Sequence, residues 1–407
     1  MSRIRVLQLV SGIAIGEQSG GAEQVALQVA LHLSREEFES AVFVMRRYGS
    51  PAEALWWQRL VEAKIPIYGF DRTPEHDRMD LLGIWQSLWR CVAAFRPDVI
   101  NSHSERGDTL NALIHILNPR HPAAVRTMHT DQQWQTRPWI GKFLSQGVFP
   151  LVFAGEIAVS QAVRAVMDRR PLARLLHKRA MLCYSAIDLA PFRRCRMDAS
   201  GDLTASNASD HGGCHNLELL PYGIPPQRPR VGIIGRLSPQ KGHRILFQAI
   251  AQIANCRPVH LLVVGAGELD AELHHLAASL GIADRVHFLG SRCDVAEILL
   301  HLDLLVSASL WEGLPGVILE ALASEVPVVA TDVSGSREII VHGETGLLVP
   351  AGRPDALAET ILQALEQPER MRNMARRGSQ SVERFSIEKM VAEYSVVYRD
   401  IINKLRY

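Results

Sequence analysis

Short apolar runs alternate along the chain with stretches whose apolar residues return every three or four positions. RIRVLQLV is followed by GAEQVALQVALHL, then SAVFVM, IPIYGF, a helical pattern over residues 80 to 95, and PDVINSHS. The rhythm continues through AVRTMHT, a helical stretch near 139 to 154, IAVS, another helix and RAMLCYSAI. Period-2 or fully apolar runs bounded by turn residues predict strands, and the 3.6-residue period predicts helices between them. Such alternation predicts a doubly wound parallel sheet. Residues 197 to 229, rich in Gly, Ser, Asn, Asp and Pro, interrupt the pattern and read as a linker or flexible loop. It then restarts: RVGIIG, a helix from Lys241, HLLVVGAG, a helix from Leu269, RVHFLG, LDLLVSAS, a helix after GLPG, and PVVATD. The chain is therefore divided into a Rossmann-like domain over 1–190, a linker over 191–229, a second Rossmann-like domain over 230–384 and a terminal segment over 385–407. In that last segment Ile387, Met390, Val391, Tyr394, Val397, Tyr398, Ile401 and Ile402 keep helical spacing, which predicts an amphipathic helix in need of a partner surface.

Composition narrows the classes. With 407 residues, 47% of them apolar, the chain can bury two large cores. A net charge of +1 gives no global reason to expect nucleic acid. The apolar run at the N-terminus is too short for a secretory signal and no stretch is long enough to cross a bilayer, so a cytoplasmic location is expected. Cys91, Cys183, Cys195, Cys214, Cys256 and Cys293 show no CxxC or Cys/His ligand spacing, so reduced thiols and no structural zinc are expected. A nicotinamide cofactor is disfavoured, because Gly265-Ala266-Gly267 lacks the third glycine of the dinucleotide fingerprint. No GxSxG elbow is present.

What remains is a set of anion-binding elements after strands. Gly20-Gly21 would open a helix with bare amides, although an ordinary glycine-rich loop reads the same. Arg236 and Lys241, in GRLSPQKG, sit where a helix dipole disfavours cations unless an anion lies nearby. In SLWEGLPGVILEALA, Pro315 fits a first helical turn, which would present the amides of Gly313 to Val317 with Glu312 at the mouth. Glu312 alone could be a capping carboxylate. Glu320 interrupts an apolar run where a core residue would be expected.

Glu312 and Glu320, the stretch from Gly235 to Gly242, and the segment from VHFLGSRCDV to ETGLLVP make the chain resemble glycosyltransferase family 4 over residues 229 to 366. GGAEQ, NSHS, RTMHT and AVSQAV extend the likeness more loosely over 1 to 190. The family's usual Asn-Gly-Ile-Asp is here Ser185-Ala186-Ile187-Asp188. The resemblance implies an α/β protein of GT-B fold, two facing Rossmann-like domains with an interdomain cleft, whose last helix crosses back to the first domain. It implies a retaining transferase, a hexosyltransferase, that takes a sugar from a nucleotide-diphosphate sugar. Arg236 and Lys241 would neutralise the pyrophosphate, the amides of Gly316 and Val317 would add donors, and that of Leu314 would face the sugar. Glu320 would accept from the ribose diol, Glu312 would hold sugar hydroxyls, His129 would face the same sugar, and Ser291 and Arg292 would meet the base. His103 is expected to be structural or on the acceptor side.

No Asp-x-Asp pair occurs in the chain, so a reaction without metal or other cofactor is expected. The acceptor would be a glycan or a lipid-linked glycan of polysaccharide or lipopolysaccharide biosynthesis. Residues 164 to 196 hold nine Lys/Arg against Asp168 and Asp188, with Trp134, Trp139, Ile140, Phe143 and Leu144 upstream. Peripheral contact with an anionic membrane, at its inner face, is one reading and a solvated basic face the other. Two other functions fit the same fold: a nucleotide-sugar-binding protein without transfer activity, and a nucleotide-sugar epimerase.

Overall fold

A computed structural model describes residues 3–15, 20–69, 81–118, 122–130, 134, 138–193, 228–254, 256–292 and 294–406. Most of the expected linker, together with Cys195, Cys214 and Cys293, lies outside the described residues.

The chain divides into two units, the first built from residues 1–186 and 387–407 and the second from 187–386. In the first, β1 (Ile4–Val10), β2 (Phe38–Val44), β3 (Ile67–Gly69), β4 (Val99–Ser102), β5 (Ala123–Met128), β6 (Gly155–Ala158) and β7 (Met181–Leu182) form one sheet in the order β3-β2-β1-β4-β5-β6-β7. All neighbours are parallel, so crossover helices must cover both faces. β1 shows how the pleat divides the core: Val6 packs with Val25, Val29 and the terminal helix, whereas Leu7 and Leu9 pack with Ile84, Leu88 and Val92.

The helix Ile387–Arg406 belongs to this first unit. Its eight periodic apolar residues, Ile387 to Ile402, are all buried, and they share a cluster with Val6, Val99, Val125 and Ile157. Each is worth about 1.5–3 kcal/mol before the entropy of ordering is subtracted. The approach is close: a Cβ on Gly155 would lie 2.4 Å from Ile401 Cδ1. The helical stretch expected near 139 to 154 is three pieces, Pro138–Phe143, a wide turn at Leu144–Val148, and Phe149–Val152. Beneath it lies the fully buried Arg126, which donates to Glu156 at 2.9 Å and to Asp108 at 3.2 Å and stacks on Phe149. A buried guanidinium needs such partners.

The second unit repeats the plan with β8 (Arg230–Ile234), β9 (His260–Val264), β10 (Val286–Gly290), β11 (Leu304–Ser307), β12 (Val328–Thr331) and β13 (Leu347–Val349), in the order β10-β9-β8-β11-β12-β13, again all parallel. Its two ends meet, since Ile187 N donates to Phe385 O and Ile187 bridges to Ser386. The unit boundary thus falls inside the Ser185-Ala186-Ile187-Asp188 turn. No helix among the described residues is long and apolar enough to cross a membrane.

Candidate active site

In the second unit the polar groups gather at the carboxyl ends of β8, β11 and β12. β8 runs into Gly235, a Pro239–Lys241 turn and Gly242, and only then into the helix His243–Ala254, two residues later than the sequence pattern suggests. Gly242 has φ +67°, and a Cβ there would meet Ala308 O at 2.0 Å, so only glycine lets this loop reach β11. Lys241 is thereby placed across the loop after β11, and its Nζ donates to Glu312 Oε1 at 2.5 Å. Glu312 is only 6% exposed and also accepts from Ser309 Oγ at 2.8 Å and Gln240 Nε2 at 3.4 Å. The backbone beside it is fixed as well, with Gln240 donating to Trp311 O and Ser334 to Glu312 O. The anion that compensates Lys241 is therefore a carboxylate of the protein. Arg236, exposed one residue after Gly235, has no side-chain partner among the described residues.

The helix Gly316–Ala323 starts one residue later than expected, with Pro315 as the residue before it, and no side chain caps it. The amides of Gly316 and Val317 are thus left without an intrahelical acceptor. Glu320 is one turn on, and a Cβ on Gly316 would come within 4.0 Å of its Oε1, so the carboxyl leans back over the helix start. Burial raises it to about 7, partly offset by the field of Lys241. Leu314 lies in the same turn, whose shape is held by Gly335: a Cβ there would lie 2.6 Å from Gly313 O.

Ser291 and Arg292 follow β10, which β9 separates from β8, and Arg292 is forked onto Asp294. Gly265 and Gly267, the incomplete dinucleotide motif, have a packing role. Cβ atoms there would meet Gly235 O at 2.1 Å and Leu237 O at 2.4 Å, so these glycines let the loop after β9 support the loop that carries Arg236.

In the first unit Gly20 and Gly21 open the helix Gly21–His32 with open space around them. The Gly20 amide is occupied, donating to Glu23 Oε2 at 3.0 Å. His129 follows β5, is partly buried, and shares a 3.1 Å hydrogen bond between its Nε2 and His103 Nδ1. Burial pushes it down to about 3 and, with His129 beside it, His103 well below the ordinary imidazole range. Both rings are neutral at physiological pH. Behind them stand Gln8, Asn101, Thr127, Tyr394 and Tyr398, a buried hydrogen-bonded set that sequence reasoning missed. Gln240, Ser309 and Ser334 were missed in the second unit. The signal for Gln8 and Asn101 was available: each is an amide next to apolar residues inside a buried strand.

Residues 19–190 match Glycosyltransferase Family 4, and residues 220–381 match Glycosyl transferases group 1. The chain belongs to the family 4 glycosyltransferases. It is 37% identical over 182 residues to N-acetyl-alpha-D-glucosaminyl L-malate synthase of Bacillus anthracis, covering 44% of this chain and 48% of that protein. The chain spans about half the length of the curated relatives it matches. Among solved structures, Anabaena HepE in complex with UDP-glucose is 21% identical with a TM-score of 0.74, over 98% of this chain and 100% of that one. Sucrose-phosphate synthase of Thermosynechococcus elongatus is 20% identical with a TM-score of 0.78, over 99% and 100%. These likenesses establish the α/β GT-B fold of this family member.

Proposed function

We propose that the protein transfers a sugar from a nucleotide-diphosphate sugar to a glycan or lipid-linked acceptor, with retention at the anomeric carbon and without a divalent metal. The observation that carries this reading is the grouping, in one unit, of Lys241 gripped by buried Glu312, the uncapped amides of Gly316 and Val317, and Glu320 over the helix start. Lys241, with Arg236, which has no side-chain partner among the described residues, supplies charge against a leaving diphosphate, the task a metal performs elsewhere. Glu320 suits a ribose diol as a two-oxygen acceptor. Glu312, held on three sides, presents a fixed carboxylate to sugar hydroxyls, and His129 is assigned to a sugar hydroxyl. Ser291 and Arg292 are assigned to the base. Gly20 and Gly21 contribute backbone donors to the donor sugar-nucleotide, reduced by the amide already given to Glu23. The names of relatives, a glucosaminyl L-malate synthase and a protein crystallised with UDP-glucose, support a UDP-sugar.

For the acceptor, exposed Trp139, Phe143, Leu151 and Leu175 occur alongside exposed Lys142, Arg169, Arg174 and Arg179 on neighbouring helices of the first unit and the turns that follow them. That pairing supports work at the inner, anionic face of a membrane. Sedimentation with anionic but not neutral vesicles is expected.

The deciding experiment incubates the protein with UDP-sugars and candidate glycan acceptors, then reads UDP release and the anomeric coupling of the product by NMR. Transfer with retention that persists in excess chelator is expected. Inversion, or activity restored only by manganese, overturns the mechanism. Interconversion of free UDP-sugars without acceptor identifies an epimerase instead, and donor binding without UDP release identifies a binding protein.

A further inference from the structure

The buried polar set in the first unit has a direction. Tyr394 Oη donates to Thr127 Oγ1 at 3.3 Å, so the Thr127 hydroxyl hydrogen is left for Asn101 Oδ1 at 3.2 Å. That fixes the Asn101 amide with its NH₂ inward, where its two hydrogens go to Tyr398 Oη at 3.0 Å and towards Gln8 Oε1 at 3.3 Å, so that its Nδ2, although 3.1 Å from His103 Nε2, has none left for the ring. Gln8 in turn gives its own NH₂ to Tyr398 Oη at 3.1 Å, which leaves Gln8 Oε1 facing His103 Nε2 at 2.9 Å. An amide oxygen at that distance needs a proton on the ring nitrogen. A neutral His103 with Nε2–H has a bare Nδ1, which can only accept from His129 Nε2–H at 3.1 Å. Among the described residues nothing meets the remaining nitrogen, His129 Nδ1.

We propose that this network, closed by Tyr398 of the terminal helix, holds His129 as the Nε2–H tautomer so that its Nδ1 is a fixed hydrogen-bond acceptor for a substrate hydroxyl. Gln8, Asn101, His103 and Tyr398 are then positioning residues that act through His129. The proposal rests on the reading that His129 acts on the sugar. It assigns His129 a specific part there: the histidine takes a hydrogen from a hydroxyl and gives none. All members of the network are buried except His129, which is partly exposed, so water does not compete for their hydrogen bonds. The low basicity described above keeps the outer nitrogen unprotonated at working pH.

The first test needs no variant. Long-range ¹H–¹⁵N correlation on histidine-labelled protein is expected to find His103 and His129 both protonated at Nε2. A proton on His129 Nδ1 overturns the proposal. The second test removes the closing hydroxyl. Tyr398→Phe frees the Gln8 amide to rotate and present NH₂ to His103, which reverses both tautomers. UDP release from UDP-glucose or UDP-N-acetylglucosamine, whichever supports turnover, is then expected to lose kcat about tenfold while KM changes less than about twofold. An unchanged kcat overturns the positioning role. His129→Ala separates the two levels. Full turnover in that variant sinks the reading of His129 at the sugar, and the positioning role with it, whereas the tautomer measurement stands by itself.

Discussion

At the carboxyl ends of β1, β4 and β5 the first sheet carries Gln8, Asn101, His103, Thr127 and His129, whereas at the corresponding ends of β8, β11 and β12 the second carries Arg236, Lys241, Ser309, Glu312 and Thr331. The sheets share a strand order over their first six strands, so the same topological switch point has received two chemistries. One set is neutral and, apart from His129, buried, and it is ordered by hydrogen bonds that reach the helix Ile387–Arg406. The other is charged, and its cation reaches solvent. A neutral dry network can orient a hydrogen bond but cannot stabilise a leaving anion, while a half-open ion pair does the reverse. The fold supplies the positions and the side chains divide the labour.

The sharpest way to break this comparison is Glu312→Gln, which keeps the shape and removes the charge. Turnover is expected to fall about 10²–10³-fold, with UDP affinity nearly unchanged, as measured by steady-state kinetics and calorimetry. An equal loss of UDP affinity would move Glu312 into the nucleotide site and erase the distinction. An effect of comparable size, in stability, is expected for Lys241→Met. It strands a carboxylate that is 6% exposed, and about 3–5 kcal/mol of stability should be lost by chemical denaturation. Adding Glu312→Leu should return most of that loss, and failure to do so shows that the pair is not the source.

Glu320 sharpens the picture through pH. Its folded-state value, about 7, lies above the ordinary 4.5, so the folded chain holds the proton more tightly than the unfolded chain. That stabilising contribution is full below about 4.5 and is lost as pH rises through 7. Glu320→Gln should therefore gain stability over the parent between pH 5 and 8, by at most about 3 kcal/mol, with no gain at pH 4. A gain independent of pH would point to packing. The smallest effect belongs to Arg236→Ala. Stability should stay within about 0.5 kcal/mol, because the side chain has no partner among the described residues to lose, while UDP affinity drops about five- to tenfold.

Much of this plan was legible in the sequence. The strand and helix periods mark both sheets, and Arg236, Lys241, Glu312 and Glu320 stand out as charges in glycine-rich or apolar surroundings. The ion pair itself was not legible, because Lys241 and Glu312 lie 71 positions apart and each read as facing a ligand. Their meeting depends on Gly242 passing under Ala308, a contact with no local signature. The glycines at 265 and 267 misled in kind, since close backbone approach serves a neighbouring loop as well as a phosphate. Helix starts slipped at His243 and Gly316, where a short turn or a preceding proline delays the first helical residue. The histidine network was hidden for a different reason: Tyr398 and Gln8 are 390 residues apart, and a tyrosine in an amphipathic pattern reads as core.

The helix Ile387–Arg406 also sets an order of events in synthesis. Strands β1 to β7 leave the ribosome before the second unit, yet one face of their sheet, covered by the helix Gly21–His32, is not completed by the terminal helix until roughly 200 further residues have been made, which takes about 10–40 s at ordinary elongation rates. The second unit is contiguous and can close during that interval, so the half of the protein made first is finished last. Tyr398 arrives at the end of this wait, and with it the hydroxyl that decides which nitrogen of His129 faces outward.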